Sequence, residues 1–204
     1  MVRLGKIAVL GAFLTLLVAM AVPTQAHAIP TLYTDRASWE AAAPSPQADV
    51  DLSGIADGTP VTSISLPFAE TLTFDQTLTK RSVPSGGWAT WSGCPPACPD
   101  VLESTTDSFK ATFSPAGSVG AFGLEMEPNT FSTFKMTLGL SDGTSLGQTV
   151  DGLAGAKFFG WVGGSIVDFV AECLGGCGGF AVGKMVKAEA VPEPGTLGLL
   201  KRRP

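Results

Sequence analysis

Phe134-Lys135-Met136-Thr137-Leu138-Gly139-Leu140-Ser141-Asp142-Gly143-Thr144 is the stretch that decides the fold. From Phe134 to Leu140 apolar and polar residues alternate strictly, which places every second side chain on one face of an extended strand. Asp142-Gly143 then supplies the left-handed backbone that a tight hairpin turn needs, so a second strand is expected over Thr144 to Val150 with a type I′ turn between them. Working outward, Phe109-Lys110-Ala111-Thr112-Phe113 alternates in the same way and Phe68-Ala69-Glu70-Thr71-Leu72-Thr73-Phe74 does so loosely. Asp57-Gly58 and Ser114-Pro115-Ala116-Gly117 punctuate these runs as turns. Phe158, Phe159 and Trp161 sit in an unbroken apolar run and are expected to be core or strand-edge packing.

The expectation is an all-β chain, a single antiparallel β-sandwich with one short N-terminal helix. That helix is read over Arg36 to Ala43, capped by Thr34 or Asp35 and stopped by Pro44, with Trp39 packed against one end of the sheets. Composition agrees: 25 Gly, 15 Pro and 12 Phe with only 15% charged residues favour short strands and tight turns over a helical bundle.

Both ends read as addresses. Arg3 and Lys6 precede an apolar run from Ile7 to Val22, followed by Pro23 and the small-residue pattern Ala26-His27-Ala28, so residues 1–28 are expected to be a secretory signal peptide. Residues 29–190 then form one β-sandwich domain, and residues 191–204 a sorting tail. Processing leaves 11 basic against 18 acidic residues, a net charge of −7, and removes the single histidine, His27. Histidine-based nucleophilic or general-base mechanisms and His-containing metal sites are excluded for such a mature chain. The acidic balance argues against nucleic acid as a partner.

The tail Val191-Pro192-Glu193-Pro194, followed after six residues by Lys201-Arg202-Arg203, resembles the sorting signal of PEP-CTERM proteins. Six residues make about 9 Å of helix where a bilayer needs roughly 20 apolar residues, so the signal is degenerate and its recognition by an exosortase is doubtful. Together with Ala121-Phe122-Gly123-Leu124-Glu125, Leu138 to Thr144, Phe158 to Val162 and Gly179-Phe180-Ala181-Val182, the chain is similar to secreted bacterial proteins that bear such tails. The resemblance implies a jelly-roll or lectin-like sandwich in the cell envelope or extracellular matrix, of a class linked to exopolysaccharide. It supplies no catalytic residue.

Four cysteines form two C-x3-C pairs, Cys94/Cys98 and Cys173/Cys177. In an exported protein disulfides outrank a zinc site, whose spacing is more often C-x2-C. Local pairing is favoured, with Leu174-Gly175-Gly176 as the loop of a hairpin between strands Ile166 to Glu172 and Gly178 to Lys187, each bond then contributing about 1 to 2 kcal/mol. Pairing between the two motifs would contribute roughly 4 kcal/mol per bridge.

Three groups are candidates for function. Glu125 and Glu127, two apart on a strand, share a face and could act as the paired carboxylates of a glycoside hydrolase, although Pro128 interrupts the strand. Asp49, Asp51 and Asp57 surround a turn and could hold calcium, with an ordinary solvated turn as the plainer reading. Trp88 and Trp91 lie in a Gly/Pro-rich loop where exposed aromatic faces would suit sugar rings, against the alternative that one or both pack in the core. The resulting expectation is a secreted, non-catalytic envelope or matrix protein with polysaccharide as its partner, and a hydrolase using Glu125 and Glu127 as the alternative.

Overall fold

The computed structural model describes residues 29–115 and 119–189. The expected signal peptide and sorting tail, and Ala116 and Gly117 of the expected turn, lie outside these residues. The described chain is mostly antiparallel β. The strands are β1 (Thr31–Tyr33), β2 (Gln47–Asp49), β3 (Pro60–Ser65), β4 (Thr71–Ser82), β5 (Asp100–Ser104), β6 (Ser108–Ser114), β7 (Val119–Pro128), β8 (Thr133–Leu140), β9 (Ser145–Asp151), β10 (Lys157–Ile166), β11 (Asp168–Leu174) and β12 (Phe180–Ala188), with helix α1 (Arg36–Ala42) between β1 and β2. A 3₁₀ turn spans Pro67–Ala69.

Hydrogen bonding runs in one continuous path, β1-β10-β7-β12-β5-β4-β6-β11-β8-β9, with β2 added to β12 and β3 to β4. The fold-over occurs at β4, because its first half, Thr71 to Phe74, pairs with β6 while its second half, Thr79 to Ser82, pairs with β5. The two halves of the sheet thereby close over a shared core and leave a nearly closed, barrel-like sheet. Phe113, Phe122, Trp161 and Phe169 meet at that core with ring centroids 5.4 to 6.0 Å apart. A stacked pair, Phe109 and Phe180, continues it at 5.4 Å.

Alternation in sequence maps onto this core directly. Met136, Leu138 and Leu140 of β8 and Phe109, Ala111 and Phe113 of β6 point inward and are buried, while the residues between them face solvent or are half-buried. Gly143 takes φ +89°, as the turn requires, but the hairpin has a three-residue loop: Leu140 N donates to Thr144 O, Gly143 N donates to Leu140 O, and Asp142 keeps negative φ. The turn is therefore of the type in which only the last loop residue is left-handed, in place of the expected type I′.

Three expectations are corrected. Phe68 does not begin a strand; it and Ala69 adopt φ +67° and +69° in the turn before β4, and Phe68 covers the buried Lys187 ammonium at 4.9 Å. That ammonium lies 2.9 Å from Glu70 Oε2, an internal ion pair that joins β12 to the entrance of β4. The strands flanking Cys173 and Cys177 do not form a hairpin, because β11 pairs with β6 and β8 whereas β12 pairs with β2, β5 and β7. Thirdly, Trp39 packs on an outer sheet face and not at a sheet end. Asp35 caps the helix by accepting from Ser38 N at 2.9 Å, and Trp39, fully buried, reaches Phe158 and donates Nε1 to Trp161 O at 2.8 Å.

The face of β7 opposite the core is thus covered as well. Gly123 and Gly160 make room for Phe158 beneath α1, where an added Cβ would stand 2.2 Å and 2.7 Å from the Phe158 ring. Farther along the same face, Trp88 and Trp91 pack with Val83, Val101, Ala156 and Ala181. The long β4–β5 connection folds back to make this second cover.

Candidate functional site

The two glutamates and the two tryptophans, read separately in the sequence, belong to one site. Glu125 and Glu127 project from the outer face of β7, and the Trp88 to Ser92 segment lies on them. Trp91 Nε1 donates to Glu125 Oε2 at 2.6 Å, and Thr90 Oγ1 donates to Glu127 Oε1 at 2.6 Å. Lys184 completes the attachment: its Nζ donates to Ser92 O at 3.0 Å and lies 3.5 Å from Glu125 Oε2. The Trp91 ring covers Gly183, where a Cβ would stand 3.1 Å from Trp91 Cζ2 and 2.8 Å from Val101 Cγ1. Only a residue without a side chain lets the indole approach β12 so closely.

The environments of the two acids differ. Glu127 is fully buried, and burial pushes its carboxyl up to about 7; the Thr90 hydroxyl and the Ala154 and Ala156 amides pull the other way, while the Asp151 charge adds to the rise. Its Oε2 has no partner that meets hydrogen-bond geometry. Glu125, by contrast, has both an indole donor and an ammonium beside it. Two carboxyls on one face with opposite surroundings are what acid catalysis uses, but here both are covered by the loop they hold.

Trp91 has 0% exposure and Trp88 4%, so neither offers a ring face to a ligand and the expectation of an exposed pair is corrected. The reason is an apolar cluster of Val83, Val101, Ala156 and Ala181 that buries both rings, with Glu125 accepting from the Trp91 indole. What remains open beside Trp88 is a pocket of about 90 Å³ lined by residues 87–90, Pro128, Asn129, Phe131 and Gly152. Phe131, 62% exposed, stands at this pocket and was not singled out in the sequence.

The aspartates do not converge. Asp49 pairs with Arg36, which also bonds Glu40 at 2.6 Å. Asp51 turns back to accept from Ser53 N at 2.8 Å. Asp57 binds Lys80 Nζ at 2.8 Å, and Asp100 binds the same ammonium at 2.8 Å. Burial works against the Lys80 charge, but Asp100 and Asp57 outweigh it and hold its pKa above the ordinary lysine value. A buried lysine therefore takes up Asp57, one of the three aspartates that the sequence suggested for calcium, and the described residues contain no cluster of three or more metal-ligating side chains. Lys80 is also 2.7 Å from Ser82 Oγ, yet a lysine held in its charged form cannot serve as a base for that hydroxyl.

The cysteines pair locally, Cys94 with Cys98 and Cys173 with Cys177. Two disulfides suit a non-reducing, extracellular setting. No helix among the described residues is long and apolar enough to cross a membrane.

No protein-family model matches the chain, and no curated protein does either. Among solved structures, the enzymatically active domain of bacteriophage CBA120 tailspike protein 4 is similar over 59% of this chain and 19% of its own, with 16% identity and a TM-score of 0.31. So low a likeness bears on neither fold nor activity.

Proposed function

We propose that this is an exported, non-catalytic β-domain of the cell envelope or extracellular matrix that binds polysaccharide, built as a jelly-roll-like sandwich and carrying a degenerate PEP-CTERM-type tail. The observation that carries the non-catalytic part is the bonding of Glu125 and Glu127. Each places a carboxylate oxygen on the covering loop, through Trp91 Nε1 and Thr90 Oγ1, so this pair of acids is engaged in holding structure. Export is supported by the two disulfides and by the N-terminal pattern of basic, apolar and small residues. A binding role is supported by an exposed aromatic, Phe131, on a loop fixed to a rigid sheet, the arrangement in which loops most often carry recognition.

The hydrolase reading retains one observation in its favour. Burial pushes the Glu127 carboxyl up to about 7, the kind of raised acid that glycosidases use, and Glu125 stands on the same strand face beside the Lys184 ammonium. The two readings separate in a single assay. The oxidised protein is passed over immobilised polysaccharides, with and without calcium, and the eluate is analysed for new reducing ends. Retention without product supports the binding reading; product that disappears in Glu127→Gln supports the hydrolase; no retention and no product removes both.

A further inference from the structure

The loops at one end of the folded sheet are pinned to one another. Asn129 N donates to Gly179 O at 3.0 Å and its Nδ2 donates to Gly178 O at 3.2 Å, while Thr130 Oγ1 donates to Cys177 O at 2.7 Å. The β7–β8 loop is thereby fixed to the Cys173–Cys177 loop. On the other side, Thr90 is held by Glu127 and by Gly152 O at 3.4 Å, which fixes the Trp88 segment against the β9–β10 loop. The pocket of about 90 Å³ opens between these pinned segments, with Phe131 projecting beside it. Binding there would order little that is not already ordered, the condition under which few contacts give useful affinity.

The chemistry of the lining selects the ligand class. None of the pocket residues carries a charge. Phe131 offers an apolar ring face, and the Asn129 amide retains a second N–H and a carbonyl after its bond to Gly178. An aromatic face beside neutral hydrogen-bonding groups matches a sugar ring, which presents C–H bonds on its faces and hydroxyls on its rim. The acidic mature chain, 11 basic against 18 acidic residues, repels polyanions.

We propose that this end binds one neutral pyranosyl residue of a polysaccharide, its ring face on Phe131, a rim hydroxyl at Asn129 and a substituent in the pocket beside Trp88. The proposal rests on the polysaccharide-binding reading above and gives it a place and a charge preference. Because Trp88 lines the pocket, occupation alters its fluorescence.

Affinity electrophoresis through gels containing laminarin, dextran or galactomannan, with alginate and polygalacturonate as acidic comparators, tests this. The native protein is expected to be retarded by at least one neutral polymer and to change its tryptophan emission. Phe131→Ala should weaken that retardation about tenfold or more, and Asn129→Ala should also weaken it. Leu153→Ala removes an equally exposed side chain, 60%, that does not line the pocket, and should stay within about twofold of native. Undiminished binding by Phe131→Ala, equal damage from Leu153→Ala, or retardation by the acidic polymers alone overturns this site and leaves the broader reading standing. Retardation by none of the polymers overturns both. Near-UV circular dichroism confirms that each variant is folded.

Discussion

Trp91 Nε1 donates a 2.6 Å hydrogen bond to Glu125 Oε2, joining a loop residue with no exposed surface to a carboxylate on the outer face of a sheet strand. This contact makes the acid a fixture of the fold. Trp91→Ala is expected to cost about 3 to 5 kcal/mol, since it removes a fully buried ring and leaves a cavity over Gly183. Glu125→Gln keeps an acceptor for the indole and should cost about 1 to 2 kcal/mol. Urea midpoints at neutral pH check both, and equal losses would show that the charge of Glu125 beside Lys184 matters as much as the buried ring.

Glu127 predicts a pH dependence whose sign is fixed. Its folded pKa of about 7 exceeds the ordinary 4.5, so the folded state binds more protons between these values. Its contribution is full below about pH 4.5, declines as pH rises toward 7 and stays low above that. Glu127→Gln removes the cost of ionising a buried group. The stability of the variant relative to native should therefore rise between pH 5 and pH 8 by on the order of 3 kcal/mol. Denaturation curves at the two pH values measure the difference, and a constant offset would show that Glu127 ionises without penalty.

Gly183→Ala should act through Trp91. The new Cβ would stand 2.8 Å from Val101 Cγ1 and 3.1 Å from the indole, so the ring must lift. A loss of about 1 to 3 kcal/mol and a red shift in tryptophan emission are expected. Unchanged emission would mean that the ring does not rest on β12.

Each disulfide closes a loop between cysteines four positions apart, so the bonds shape their loops more than they hold the fold. Replacing Cys94 and Cys98 together with Ser should cost about 1 to 2 kcal/mol and leave a cooperative transition. Non-reducing peptide mapping should recover each pair within its own segment, and peptides linking the two segments would contradict the fold.

The edges of what the sequence discloses follow from coverage. Where one sheet face meets water, as in β8 and β6, alternation is written plainly in the sequence. In β7 and β12 both faces are covered, the pattern becomes nearly continuous, and nothing local distinguishes Glu125 and Glu127 from surface acids. Their burial depends on the β4–β5 connection folding back some 35 residues away in sequence, as the 34-residue separation of Trp91 and Glu125 illustrates. The same long-range packing buries Trp88 and Trp91, which that connection carries onto Val101, Ala156 and Ala181. Lys80 pre-empted Asp57 across 23 residues, so spacing among the aspartates could not predict their partner. Phe131 carried a weak signal, an aromatic in a polar turn after Pro128, that only its 62% exposure makes meaningful.

The most direct test of the central claim combines retention and product analysis on one protein pair. Native chain and Glu127→Gln are incubated with the same neutral polysaccharides, and bound polymer and released reducing ends are measured together. The account predicts retention by both proteins and release by neither. Release by the native chain that vanishes in Glu127→Gln would contradict it and make the covered acid a catalyst.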